Sequence, residues 1–293
     1  MEDFLELIVS VGEAGSIYAL VALAYLLVLR PSGIINFAVG EWAMMGGFAA
    51  VSLITWLKLP YIIGLPLSIM CIGAIAWVTG LVVVNPLIKR NASPMSKVLV
   101  LLGMLIVYRE TSASLYGYDP LFVPMPFGFG RVEVGPFAGS SQSFFIISVV
   151  AVVFLLAWYF FERTIWGKAF EGVAINRQAA MLMGINLKIV GMSSFISAGM
   201  IAGLAGVLQA PLTSAHFLMG LPLAIKGFTA LVIGGVGRVE GALLGGFLLA
   251  LLEKLTIRYI DIPSGYALGV PLLLMIVFLL FRPNGIFQNK EAK

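Results

Sequence analysis

Two groups of ionisable residues interrupt a chain that is otherwise apolar. Glu41, in INFAVGEWAMMGGFAA, sits among apolar and small residues, accompanied by Asn36, Gly40, Gly46 and Gly47. A carboxyl group in such surroundings is expensive in a bilayer and ordinarily faces the bundle interior or water. Two readings fit. Either a glycine-broken helix lines a translocation path with Glu41 as its polar wall, or Glu41 is a structural clamp that pairs with a basic group or snorkels to the nearer boundary. Arg109 and Glu110, adjacent in LIVYRETSASLYG, form a second polar break. An internal ion pair with another helix is the first reading there, and gating the second. Arg238 and Glu240 are read as shaping the turn GVGRVEG.

No set of residues supplies an engine. Gly167-Lys168 lacks the preceding glycine of a phosphate-binding loop and is followed by Ala169. No H-E-x-x-H or Cys/His cluster occurs, so no metal site is expected. His216 is the sole histidine, read as a surface or helix-end residue, and no Ser/His/Asp set can be assembled around it. Cys71, the sole cysteine, reads as a small buried hydrophobe. No basic patch interleaved with aromatics points to nucleic acid. The chain is expected to be a non-catalytic protein that binds no cofactor and borrows any energy it uses.

The elements that must position these residues follow from composition. Of 293 residues, 60% are hydrophobic and 11% charged, and 33 are glycine. Soluble domains carry roughly 25% charged residues, so the chain reads as an all-α polytopic bundle, with glycines that let helices approach closely. The acidic start MEDFLELIVSVGEAGS has no basic signal-peptide region, so the first apolar run is read as a retained span. Candidate spans lie at about 5–29, 35–57, 61–84, 98–116, 143–161, 189–213 and 267–281. Between the last two, short helices at about 221–236 and 241–255 hinge at GGVGRVEG. The total is about eight or nine spans. A re-entrant hairpin near 221–255 is the alternative and leaves about seven crossings.

Loop charge orients the bundle. Arg30, Lys89, Arg90, Lys97, Arg163, Lys168, Arg177, Lys188, Arg282, Lys290 and Lys293 fall in segments that alternate consistently if the N-terminus is outside and the C-terminus cytoplasmic. The Pro- and Gly-rich loop YGYDPLFVPMPFGFGRVEVGPFAGSSQ then lies outside and has room for a short hairpin. The charged stretch GKAFEGVAINRQAAMLMGI, residues 167–185, is cytoplasmic. Its pattern predicts a helix over 168–183 that Gly184 ends in a left-handed conformation. Phe170, Val173, Ala174 and Met181 fall near one face; an Ala-rich face this small suits a protein groove better than acyl chains. VGEWAMMGGFAA also echoes VGRVEGALLGGFLLA, as a duplicated half would.

Three segments taken together resemble the branched-chain amino-acid permease family of ABC importers: GSIYALVALAYLLVLRPSGIINFAVGEWAMMGGF, GKAFEGVAINRQAAMLMGINL and ALVIGGVGRVEGALLGGFLLALLE. RPNGIF at 282–287 resembles the closing motif of that family. The resemblance spans nearly the whole chain and implies a single transmembrane permease domain over 1–293, with a cytoplasmic coupling loop at 162–188. It implies a location in the bacterial cell (inner) membrane. The implied partners are a second, related permease subunit, cytoplasmic ATPases that hydrolyse ATP, and an external solute-binding protein. Phe170, Glu171, Gly172, Val173, Ala174, Arg177, Met181 and Gly184 would then form the ATPase-coupling segment, and Asn36, Glu41, Gly46 and Gly47 the translocation path. In GGVGRVEG, Glu240 stands where the family often has proline. Members of the family handle Leu, Ile and Val, other amino acids, amides or urea. An ion-coupled secondary transporter using Glu41 or Glu110, and a passive channel, are the competing readings.

Overall fold

The computed structural model describes residues 2–90, 92–128, 130–134, 137–259, 269–282 and 285–287. Each of the nine apolar segments is helical. Helix α1 (Glu2–Ser32) is followed by α2 (Val39–Ala50), which continues as a π-helical stretch (Val51–Trp56). Helix α3 (Tyr61–Thr79) runs through a second π-helical stretch (Gly80–Val84) into α4 (Asn85–Lys89), and α5 (Pro94–Tyr116) follows. Strands β1 (Arg131–Val134) and β2 (Phe137–Ser140) form an antiparallel hairpin with Arg131 opposite Ser140, inside the loop where one was expected. Then come α6 (Ser141–Arg163), α7 (Ile165–Ile175), α8 (Arg177–Leu182), α9 (Leu187–Thr213), α10 (Gly220–Gly234), α11 (Val239–Tyr259) and α12 (Gly269–Phe281).

Short polar side chains start many of these helices by accepting from otherwise orphaned backbone N–H groups. Ser93 caps α5 through the Ser96 amide (3.1 Å), Ser140 caps α6 through Ser143 (3.0 Å) and Thr164 caps α7 through Gly167 (3.0 Å). Asn186 caps α9 through Lys188 and Ile189 at 3.0 and 3.2 Å.

The core forms around α1, whose residues from Ile17 to Val28 are buried on every side. A helix apolar all round belongs in the centre, and α1 is flanked by α6, α9, α10 and α11. Glycines set the close approaches. A Cβ on Gly46 would strike the Gly203 carbonyl of α9, and one on Gly206 would strike the Ala43 carbonyl of α2. Such small-residue contacts are how helices associate where lipid supplies no hydrophobic drive. The outer helices α6 and α12 expose Leu155, Leu156, Leu273 and Leu280, as lipid-facing surfaces do.

Five helical segments are individually long and apolar enough to cross a bilayer: Leu5–Ser32, Tyr61–Lys89, Met95–Tyr116, Ser141–Arg163 and Leu187–Thr213. Counting α10 with α11 as one span makes six, against the eight or nine expected. That pair bends by 117°, so the hinge expected at GGVGRVEG is real, and its arms form either a broken span or a re-entrant loop. The other expected spans correspond to shorter elements: α2 with its π-helical extension, where Glu41 and three glycines interrupt the apolar run, and the 13-residue α12. The candidate at 267–281 begins on residues outside those described.

One expected element is corrected. The helix over 168–183 is two helices, because Asn176 adopts an extended backbone (φ −148°, ψ 105°) and its Oδ1 accepts from the Gln178 and Ala179 amides, both at 3.0 Å. Asparagine competes for backbone hydrogen bonds and so stops one helix while capping the next. Gly184 ends the second with φ 83°, as its position predicted.

Candidate functional site

The four residues expected to line a path come together in the core where α2 meets α9 and α10. The Asn36 Oδ1 accepts from the Ala38 amide (3.0 Å) and so shapes the turn that admits α2, while its Nδ2 has no hydrogen-bond partner among the described residues. Gly46 lies against Gly203, and Gly47 against Ala210 and Ala215, so both serve helix contact. Glu41 is fully buried, and neither carboxylate oxygen has a hydrogen-bond partner among the described residues. The carboxylate rests on Gly220, the first residue of α10; a Cβ there would lie 2.6 Å from the Glu41 Cδ. Its position at a helix N-terminus places it where the backbone dipole is positive. No salt bridge to Glu41 is formed among the described residues.

A second buried polar group holds α1, α10 and α11 together. The Lys226 Nζ lies 2.7 Å from Glu253 Oε1 and donates to the Tyr18 hydroxyl at 2.8 Å, over a ring whose centroid is 4.9 Å away. Sequence reasoning missed this triad. The available signal was a lysine in the apolar run of one arm of the hinge, Lys226 in LPLAIKGFTALV, and a carboxylate at the end of the apolar run of the other, Glu253 in FLLALLEKL.

The residues expected to couple to an ATPase divide into two sets. Phe170 and Val173 face inward at 3% and 5% exposure, and the Phe170 ring meets Phe160 and Phe161 edge to face at 5.8 and 6.1 Å. Gly167 lets α7 approach α6 so closely that a Cβ would strike the Phe160 carbonyl. These residues seat α7 on the bundle. Glu171 and Gly172 are half-buried; Ala174, Arg177, Met181 and Gly184 are exposed. Ile165, Ile175, Leu182 and Met183 share that exposed surface and add large apolar groups that the sequence reading left out.

Two clefts tie this segment to the rest of the same end. Lys89, Arg177 and Lys188 line one of them with Pro31 and Ser32, which gathers basic residues from distant parts of the chain. The other is polar and encloses about 150 Å³ between Arg30, Glu162, Glu171, Arg238 and Glu240. Arg30 sits 5.5 Å over the Phe161 ring. Arg238 and Glu240 therefore do more than shape a turn, because they bring the α10–α11 hinge beside α7. The closing motif reaches the same hinge: Ile286 and Phe287 donate to the carbonyls of Ile233 and Gly234 at 3.0 and 3.1 Å. Gly285 adopts φ 76° there, and a Cβ on it would strike the Gly235 Cα at 2.5 Å. Arg282 and residues 285–287 are described; Pro283, Asn284, Lys290 and Lys293 lie outside the described residues.

Comparison with known proteins finds relatives along nearly the whole chain. The high-affinity branched-chain amino acid transport system permease protein LivH of Escherichia coli (strain K12) is 30% identical over 293 residues, covering 95% of this chain and 94% of the relative. The corresponding protein BraD of Pseudomonas aeruginosa is 30% identical over 305 residues, covering 99% and 97%. The ribose import permease protein RbsC of Escherichia coli (strain K12) is 26% identical over 285 residues, covering 90% and 82%. No solved structure matches the chain. The family model for the branched-chain amino acid transport system / permease component matches residues 7–279, and the chain, a multi-pass helical membrane protein, belongs to that family.

Proposed function

We propose that this chain forms a single transmembrane permease domain of an ATP-driven importer for branched-chain amino acids, with 162–188 as its coupling loop. In this reading a second, related permease subunit completes the path. Cytoplasmic ATPases hydrolyse the ATP, and an external binding protein delivers the solute. The chain itself binds no nucleotide and no metal, and lies in the cell membrane with its N-terminus outside and its C-terminus cytoplasmic. The observation that carries the reading is the construction of α7 and α8. An aromatic seat of Phe160, Phe161 and Phe170 fixes the segment to the bundle, while Ala174, Arg177, Met181 and Gly184 stay on its outer side. A segment seated inward and open outward is suited to pass a push from a partner to the membrane helices. The polar cleft of Arg30, Glu171, Arg238 and Glu240 extends the same path to the α10–α11 hinge. The gathering of Lys89, Arg177 and Lys188 at one end supports a cytoplasmic location for it.

The test is co-purification with the ATPases and reconstitution into liposomes. Leucine uptake should require the binding protein and ATP, and Arg177→Glu should abolish uptake and release the ATPase without lowering thermal stability. Uptake that survives ATP depletion and collapses with an ionophore would instead favour the ion-coupled carrier, for which the observation in support is that the buried Glu41 carboxylate has no hydrogen-bond partner among the described residues.

A further inference from the structure

The face of α5 that carries Glu110 is exposed and charged. Helix α5 spans Pro94–Tyr116 and contacts the rest of the chain mainly through α2, leaving most of its circumference uncovered. On the uncovered side Gly103, Val107, Glu110 and Ser114 recur at the four- and three-residue spacing that aligns side chains along one stripe. The Glu110 side chain is 59% exposed and the Arg109 side chain 26%, with Nε and Oε1 3.6 Å apart.

Depth makes that exposure informative. Tyr116 stacks between Phe48 and Trp56, at centroid distances of 4.5 and 5.4 Å, and its hydroxyl is 2.7 Å from that of Ser52. Such aromatic clusters mark the membrane–water boundary. Glu110 lies six residues before Tyr116, about 9 Å deeper along a helix. An ionised pair open to acyl chains at that depth would cost several kcal/mol, so intramembrane charges face protein or water.

We propose that this stripe lines the translocation path and that the Arg109–Glu110 pair contacts the backbone charges of a zwitterionic amino acid. The inference rests on the importer reading. Adjacent opposite charges complement an ammonium and a carboxylate carried on one carbon, with Glu110 toward the ammonium and Arg109 toward the carboxylate. Gly103 leaves room beside the stripe, since a Cβ there meets no atom within 4 Å, and Ile106 and Val107 offer apolar surface to a branched side chain.

Cysteine accessibility tests this directly, because Cys71 is the only native cysteine. In a Cys71→Ala background, Glu110→Cys, Gly103→Cys and Ser114→Cys are assembled with the partner subunits in liposomes and exposed to a charged, membrane-impermeant thiol reagent. All three should react, and leucine at about ten times its half-saturating concentration should slow the reaction of Glu110→Cys about tenfold. Glu110→Gln should raise the half-saturating leucine concentration about tenfold, the effect of losing one charge-assisted contact. No reaction at any of the three positions, in a transporter that still imports leucine, would mean that lipid or a tightly packed subunit covers the face, and would overturn the inference while leaving the importer reading intact. Reaction without leucine protection would overturn the solute contact. Reaction in a complex that imports no amino acid would sink the importer reading and leave a water-lined face.

Discussion

The Lys226–Glu253 pair gives the sharpest test of how this bundle is held together. Its Nζ–Oε1 distance is 2.7 Å, and the two side chains are 19% and 6% exposed. Removing one partner leaves the other charge buried without compensation, which costs about 3–5 kcal/mol. Replacing both by apolar residues of similar volume is close to neutral. Lys226→Met should therefore destabilise by about 3–5 kcal/mol, which for a chain of this length lowers the melting temperature by roughly 5–8 °C. Glu253→Met removes the other partner and should cost a similar amount. The double variant should recover most of the loss, giving a coupling energy of at least about 2 kcal/mol in a double-mutant cycle. Thermal unfolding in detergent, followed by an engineered fluorescence probe or by retention of the monodisperse peak after heating, measures all four proteins. Additive single effects, with the double variant as unstable as their sum, would refute the pair as the tie between α10 and α11. A double variant that melts normally but fails to transport would show that the pair matters for a moving hinge as well as for stability.

Gly220→Ala should be poorly tolerated, because its Cβ would collide with the Glu41 carboxylate, and Glu41→Ala in the same chain should restore expression and melting temperature. Failure of that rescue would place the cost in the α10 backbone. Phe170→Ala should lower stability by about 3–5 kcal/mol by emptying the aromatic seat, whereas Met181→Ala, at an exposed site, should leave stability within about 0.5 kcal/mol. Equal melting shifts in the two would contradict the inward and outward division of the coupling segment. Gly46→Leu should abolish folded protein on size-exclusion chromatography, since the new side chain has only the Gly203 backbone before it. A folded, monodisperse Gly46→Leu protein would mean that α2 and α9 separate easily.

The sequence was informative wherever a property is local. Apolar run length located nine helical segments among the described residues. Turn residues located the hinge at GGVGRVEG, and Gly184 ends its helix with the expected left-handed backbone. The same locality misled over residues 168–183, where the helix-forming pattern was continuous but the Asn176 side chain captured two amides and broke it. It also grouped Phe170, Val173, Ala174 and Met181 on one face, whereas Ala174 is exposed on α7 beside the buried Phe170 and Val173, and Met181 is exposed on α8 beyond the break.

What the sequence by itself determined is the class of molecule: a helical, multi-pass membrane protein with charged segments between apolar ones. That follows because solubility in lipid is a sum over neighbouring residues, readable in one dimension. Only the tertiary structure decided that Lys226 meets Glu253, that Glu41 rests on Gly220 without a hydrogen-bond partner among the described residues, and that Arg238 and Glu240 lie beside Glu171. Those pairings join residues far apart along the chain, and they depend on which glycines let two backbones approach. Local pattern carries no information about that approach, because the same small residue permits contact with any helix that the rest of the bundle brings to it.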